Sequence, residues 1–158
     1  MKRAAKRFRK GVKLGGVAVV SLVLVAACGH MGMHLLMGDH ADKPAASEFG
    51  FAPRTSAHGL YNATLDPIQE IRVRRMQTMR VLITDQMGQA IDGARIAVDG
   101  GMPEHGHGLP TQPRVTRYLG NGAYEVEGMK FNMGGWWEVR FAIATDAGVD
   151  TVTFNLDL

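Results

Sequence analysis

The residues best equipped for chemistry lie in Gly100–Thr111, GGMPEHGHGLPT, where Met102 precedes His105 and His107. The surrounding Gly and Pro favour neither helix nor strand, so the stretch is expected to be a loop. A second such stretch, Gly128–Gly135, holds Met129 and Met133. Thioether sulfur prefers Cu(I), imidazole accepts copper or zinc, and no carboxylate cluster is present to favour calcium or magnesium. Two histidines separated by one residue reach one ion only from an extended backbone or through different ring nitrogens, and Gly106 permits the first. A zinc site would need a third imidazole, thiolate or carboxylate, and only Glu104 is at hand, so copper suits the set better. The predicted ligands are therefore Met102, His105, His107, Met129 and Met133, with Cu(I) as the cofactor. A second account stands beside this one: the methionines cap one end of a core, since methionine fills irregular gaps, and the histidines bond to loop carbonyls.

Either role requires a fold that brings the two stretches together. From His58 onward the chain falls into short alternating runs, separated by turn signals about every ten residues. The runs are Leu60–Leu65, Glu70–Thr84, Ala94–Val98, Arg114–Leu119, Ala123–Glu127, a sixth after Gly135, and Asp150–Leu158. In the second, Ile71, Val73, Met79, Val81 and Ile83 share a face; in the sixth, Trp137, Val139, Phe141 and Ile143 do. Asp85–Gly88 and Gly120–Gly122 read as hairpin turns. With no helical period after the leader, the expected fold is all-β: a single immunoglobulin-like antiparallel β-sandwich of about seven strands. If consecutive strands run antiparallel, the connections 66–69, 99–112 and 128–135 emerge at one end, which gathers the Met/His stretches. Of the two tryptophans, alternation turns one inward and the other outward, and Trp136 is expected to offer a partner-contact surface.

The N-terminus is expected to determine where the domain works. Seven of the 18 Lys and Arg precede Leu14, and Leu14–Ala27 carries no charge, the layout of a signal peptide or anchor helix over residues 1–27. Val25-Ala26-Ala27-Cys28 resembles a lipobox, making Cys28 a lipidation site; an uncleaved membrane helix is the alternative. Both put the remainder outside the cytoplasm, in the cell envelope and facing the periplasm. Cys28 is the sole cysteine, so no internal disulfide can form. Residues 28–57 read as a flexible tether and 58–158 as the domain. Within the tether, HMGMHLLMGDH interleaves His30, Met31, Met33, His34, Met37 and His40, either a second copper-capturing stretch or, beside an uncleaved helix, a membrane-boundary segment whose methionines are apolar filler, the reading the sequence favours. Beyond Leu14 the chain carries 11 basic and 15 acidic side chains, a net charge of −4, which argues against nucleic acid as a partner.

Met102-Pro103, the HGHG of His105–Gly108, Gly122-x-Tyr124 and Met133-x-Gly-x-Trp137 together resemble the FixH/YtkA-like family of small exported bacterial domains. The resemblance covers about Leu60 to the C-terminus. It implies a β-sandwich anchored in the envelope, in a group whose relatives include proteins associated with cytochrome oxidase assembly or copper handling. No Ser/His/Asp order, carboxylate pair or phosphate-cradling loop supports catalysis. The expected function is thus non-enzymatic: copper binding for metal handling or oxidase assembly, or alternatively an envelope protein–protein adaptor without metal.

Overall fold

Side chains alternate across a strand, so a run with every second residue apolar buries one face and wets the other. The computed structural model, which describes residues 42–158, builds nine strands from this pattern. The leader, Cys28 and the His30–His40 stretch lie outside the described residues. The strands are β1 (Arg54–Thr55), β2 (Asn62–Pro67), β3 (Met76–Thr84), β4 (Arg95–Met102), β5 (His107–Gly108), β6 (Arg114–Gly120), β7 (Ala123–Lys130), β8 (Trp136–Thr145) and β9 (Gly148–Asp157). Short 3-10 turns occupy Ala46–Glu48 and Pro103–His105.

All strand pairs are antiparallel, in the order β1-β2-β3-β7-β6-β4-β8-β9, with β5 attached to β4. β4 and β6 meet only at Ala97↔Arg114. At that seam the sheet turns, so β2-β3-β7-β6 faces β4-β8-β9 across one core. This is the strand order of an immunoglobulin constant-type domain. The expectation of about seven strands is corrected: nine strands form one hydrogen-bonded sheet that curls into a nearly closed barrel. Between the halves lie Met79, Val81 and Ile83 of β3, Tyr124 and Val126 of β7, and Val139, Phe141 and Ile143 of β8, all at 2 % exposure or less.

The chain N-terminal to β2 closes the remaining gap. Gly50 N donates to Asn155 O at 2.8 Å, Ala57 N donates to Thr151 O at 2.9 Å, and β1 pairs with β2. A bare β9 edge would leave backbone groups open to pairing with other chains, and this segment covers part of it. The segment expected to be a flexible tether through residue 57 is bound to the sheet from Phe49 onward. The strand expected from Glu70 also begins later, at Met76. Arg74 adopts a φ of 67°, which breaks the extended backbone, and Val73 is left 41 % exposed. Asp85 does form a turn, its Oδ1 accepting from Met87 N and Gln89 N at 2.8 Å each. However, β4 then crosses to the opposite half of the sheet and does not pair with β3 as a hairpin partner would.

Asp150, at 3 % exposure, holds this closure together. Its carboxylate accepts from His58 N at 2.9 Å, Leu60 N at 3.3 Å and Thr151 N at 2.8 Å, from the His58 ring at 3.0 Å, and from the Ser56 hydroxyl. Burial raises its pKa, but the bonds from Ser56, His58, Thr151 and Leu60 outweigh that and hold the carboxyl far below the usual carboxylate range. A carboxyl depressed on folding stabilises the native state above its unfolded pKa of about 3.9 and loses that contribution as pH falls below it. Denaturant midpoints should be flat with respect to this group above about pH 5 and fall below about pH 4. Asp150→Asn should lower stability at pH 7, because donors arranged around a carboxylate lose it, and should flatten the acid limb. An unchanged acid limb in urea titrations of the variant would show that the closure does not depend on this charge.

At the β6–β7 hairpin, Asn121 and Gly122 take φ values of 50° and 72°, as a type I′ turn requires. A Cβ on Gly122 would lie 2.4 Å from Ile83 O. Gly122→Ala should therefore destabilise the domain by about 1–3 kcal/mol, measured as a shift in the urea midpoint at constant slope.

Candidate functional site

The stretch expected to be a loop is a tight hairpin, and glycine is the reason. β4 continues through Gly100 and Gly101 because neither carries a side chain. A Cβ on Gly100 would lie 2.4 Å from Glu138 O, and one on Gly101 would lie 2.6 Å from His107 O. The two neighbouring strands can thus close on β4 from both sides. Pro103–His105 makes the turn, and Gly106, at a φ of 64°, returns the chain with its N–H donating to Met102 O at 2.9 Å. Met102 and His107 then stand directly opposite each other in the β4–β5 ladder. Residues so paired project to the same face with Cβ atoms about 4.5–5.5 Å apart.

Trp137 anchors the assembly from below. It is fully buried, and its ring meets the His107 ring edge-on, with centroids 5.6 Å apart at 66°. Phe131 packs against it in the same manner at 5.2 Å. Trp137 Nε1 donates to Met133 O at 3.1 Å. The 131–135 connection and the 102–107 hairpin therefore meet at one indole. His105 stacks over His107 at 6.0 Å with an interplanar angle of 24°. His107 Nδ1 lies 3.1 Å from Gly108 O; a bond to a carbonyl requires the proton on Nδ1, so in the neutral ring Nε2 carries the lone pair. Nε2 is the imidazole atom fit to bind a metal.

The five predicted ligands separate by depth. His105 is exposed, His107 is partly buried, and Met133 is 38 % exposed. Met102 is 1 % exposed, lying just under the rim, and its Cε would come within 3.0 Å of a Cβ placed on Gly135. Met129 is fully buried, opposite Gln77 in the β3–β7 ladder, so its thioether belongs to the core and not to the rim. Among the described residues no three of His, Cys, Asp and Glu cluster closely enough to hold an ion. An ion at this rim would consequently need thioether sulfur beside the two imidazoles, a donor set that suits Cu(I).

Trp136 corrects another expectation. Expected to face outward as a contact surface, it is 1 % exposed. Its Nε1 donates to Asn155 Oδ1 at 2.9 Å, and Phe49 covers it edge-on at 6.4 Å. Alternation does send it away from the main core, but the segment around Phe49 buries that outer face. Sequence reasoning missed Trp137 as the meeting point, because its contact with His107 depends on β8, β4 and β5 lying side by side.

The geometry defines an all-β antiparallel domain that brings Met102, His105, His107 and the connection carrying Met133 to one end. The YtkA-like family model matches residues 55–142, and the chain belongs to that family. The match takes in the whole rim from Met102 to Trp137 and stops within β8. No curated protein matches the chain. Among solved structures, the ZirS C-terminal domain is similar over 94 % of this chain and 97 % of its own, at 13 % identity and a TM-score of 0.38.

Met102→Ala should remove a buried side chain beneath the hairpin and cost about 2–5 kcal/mol, whereas His105→Ala, at an exposed site, should change stability by no more than about 0.5 kcal/mol. Equal losses for the two in chemical denaturation would contradict the depths assigned here.

Proposed function

We propose that this is a non-enzymatic, membrane-anchored domain of the cell envelope that binds Cu(I) at its rim for metal handling or oxidase assembly. The observation that carries the reading is the Met102↔His107 pair, with His105 stacked on His107 and Met133 exposed on the adjoining connection. His105 and His107 would supply imidazole nitrogen, and Met133 and Met102 sulfur. Trp137 would hold the His107 ring in place and exclude water from its lower side. The envelope location rests on the basic segment before Leu14, the uncharged run Leu14–Ala27, and Cys28 immediately after it. Membership of the YtkA-like family agrees with this assignment. The adaptor alternative had Trp136 as its contact residue, and the burial of that side chain weakens it.

The test is a competition titration of the full chain with Cu(I) against a chelator of known affinity. The His30–His40 stretch carries similar donors, so wild type is compared with a rim variant, His105→Ala/His107→Ala, and a tether variant, His30→Ala/His34→Ala/His40→Ala. The rim variant should weaken the tighter site by about tenfold or more, at least the effect of losing an outer-shell partner of a metal ligand, and the tether variant should leave that site unchanged. Identical isotherms for wild type and the rim variant would refute a rim site.

A further inference from the structure

The two poles of the barrel differ in charge and in apolar exposure. At the rim pole, the connection from β2 to β3 exposes Ile68 at 55 % and Val73 at 41 %, and β3 opens on Met76 at 58 %. Arg72, Arg74 and Arg75 are interleaved with them and are exposed, Arg72 being paired with exposed Glu70 at 3.1 Å. Arg74 N donates to Phe131 O at 2.5 Å and its Nε donates to Asn132 O at 3.4 Å, which fixes this connection against the one carrying exposed Met133. The opposite pole also shows apolar groups, Met87 at 78 % and Val149 at 68 %. Its four connections, 56–61, 85–94, 121–122 and 146–147, carry Asp85, Asp92 and Asp146 and no Lys or Arg. With Glu70 and Glu104 set against the three arginines, the rim connections 68–75, 103–113 and 131–135 carry one net positive charge, whereas those of the opposite pole carry three negative ones.

The chain enters at the rim pole. Lys43 Nζ lies 3.9 Å from Asp157, and Phe49 bridges Asn155 near the close of β9. Cys28 precedes Asp42 by fourteen residues, a length that spans at most about 50 Å when extended. Apolar side chains mixed with arginines on one surface suit the boundary between lipid headgroups and acyl chains, where the apolar groups insert and the cations meet anionic headgroups.

We infer that the rim pole is a lipid-contact surface, seating the domain on an anionic bilayer through Ile68, Val73, Met76 and Met133 with Arg72 and Arg75. The inference rests on the anchor reading of the N-terminus and is independent of copper. A bilayer is favoured over a protein partner because the chain's entry point, its anchor segment and the charge asymmetry all direct the same pole toward the membrane. In that orientation His105 and His107 open into the interfacial layer.

The test reconstitutes the full chain into vesicles of phosphatidylcholine alone or with phosphatidylglycerol. Flotation reports the anchor, and amide hydrogen exchange reports docking. Segments 68–76 and 131–135 should exchange more slowly in phosphatidylglycerol vesicles than in detergent or pure phosphatidylcholine, while 85–92 and 146–149 should not change. Arg72→Glu/Arg75→Glu should still float and should lose the protection. Flotation with equal exchange in all three environments overturns the proposal alone. Failure of the wild type to float overturns the anchor reading and this proposal with it. Protection that appears only in native membranes, where other envelope proteins are present, overturns it in favour of a protein partner.

Discussion

The rim depends on one indole. Trp137 is enclosed by Phe131 on one side and His107 on another, and its single polar atom is satisfied by the Met133 carbonyl. A buried aromatic of this size contributes more packing area than any other residue type, and its N–H usually finds a partner when buried. Because that partner is a backbone carbonyl of the 131–135 connection, burying the ring also sets the position of the loop. The same ring meets the imidazole of a hairpin more than twenty-five residues earlier in the chain. Two segments without regular structure of their own acquire a defined relation through one side chain on β8.

The opposing half depends on a different kind of bond. Asp150 collects donors from Ser56, His58 and Leu60, while Asn155 pairs with Trp136 through its side chain and with Gly50 through its carbonyl. Both lie on β9, the strand that would otherwise be a bare edge. Phe49 and Phe51 give the covering segment an apolar footing against Trp136 and the core, and buried polar groups, whose partners are costly to lose once water is excluded, fix where it docks. The single pair joining β4 to β6 leaves the other side of the barrel with much less backbone bonding.

Much of the architecture was legible in the sequence because it follows from period-two alternation. Trp137, Val139, Phe141 and Ile143 face inward as expected, and the same alternation in the last run buries Val152, Phe154 and Leu156. The strand boundaries were less legible wherever glycine acts by close approach. Gly100 and Gly101 look like loop residues in isolation, yet they let β4 run on to Met102. The depths of the methionines were also hidden, since Met129 and Met133 are chemically alike and only the ladder shows that one lies opposite Gln77 while the other emerges at the rim. The burial of Trp136 was not legible, because its cover comes from a Gly-, Ala- and Pro-rich segment that gives no periodic signal. The family resemblance read from residues 102–137 is shown by the match over 55–142.

Leu158 exchanges both backbone hydrogen bonds with Gly135, its N–H donating at 3.1 Å and its carbonyl accepting at 2.7 Å. Residue 135 ends the connection that begins at Phe131. Any sequence fused after Leu158 would therefore leave the domain beside His107 and Met133. A polyhistidine purification tag placed there would act as a competing chelator tethered at high local concentration, so metal measurements on this domain call for a cleavable handle or a tag-free preparation.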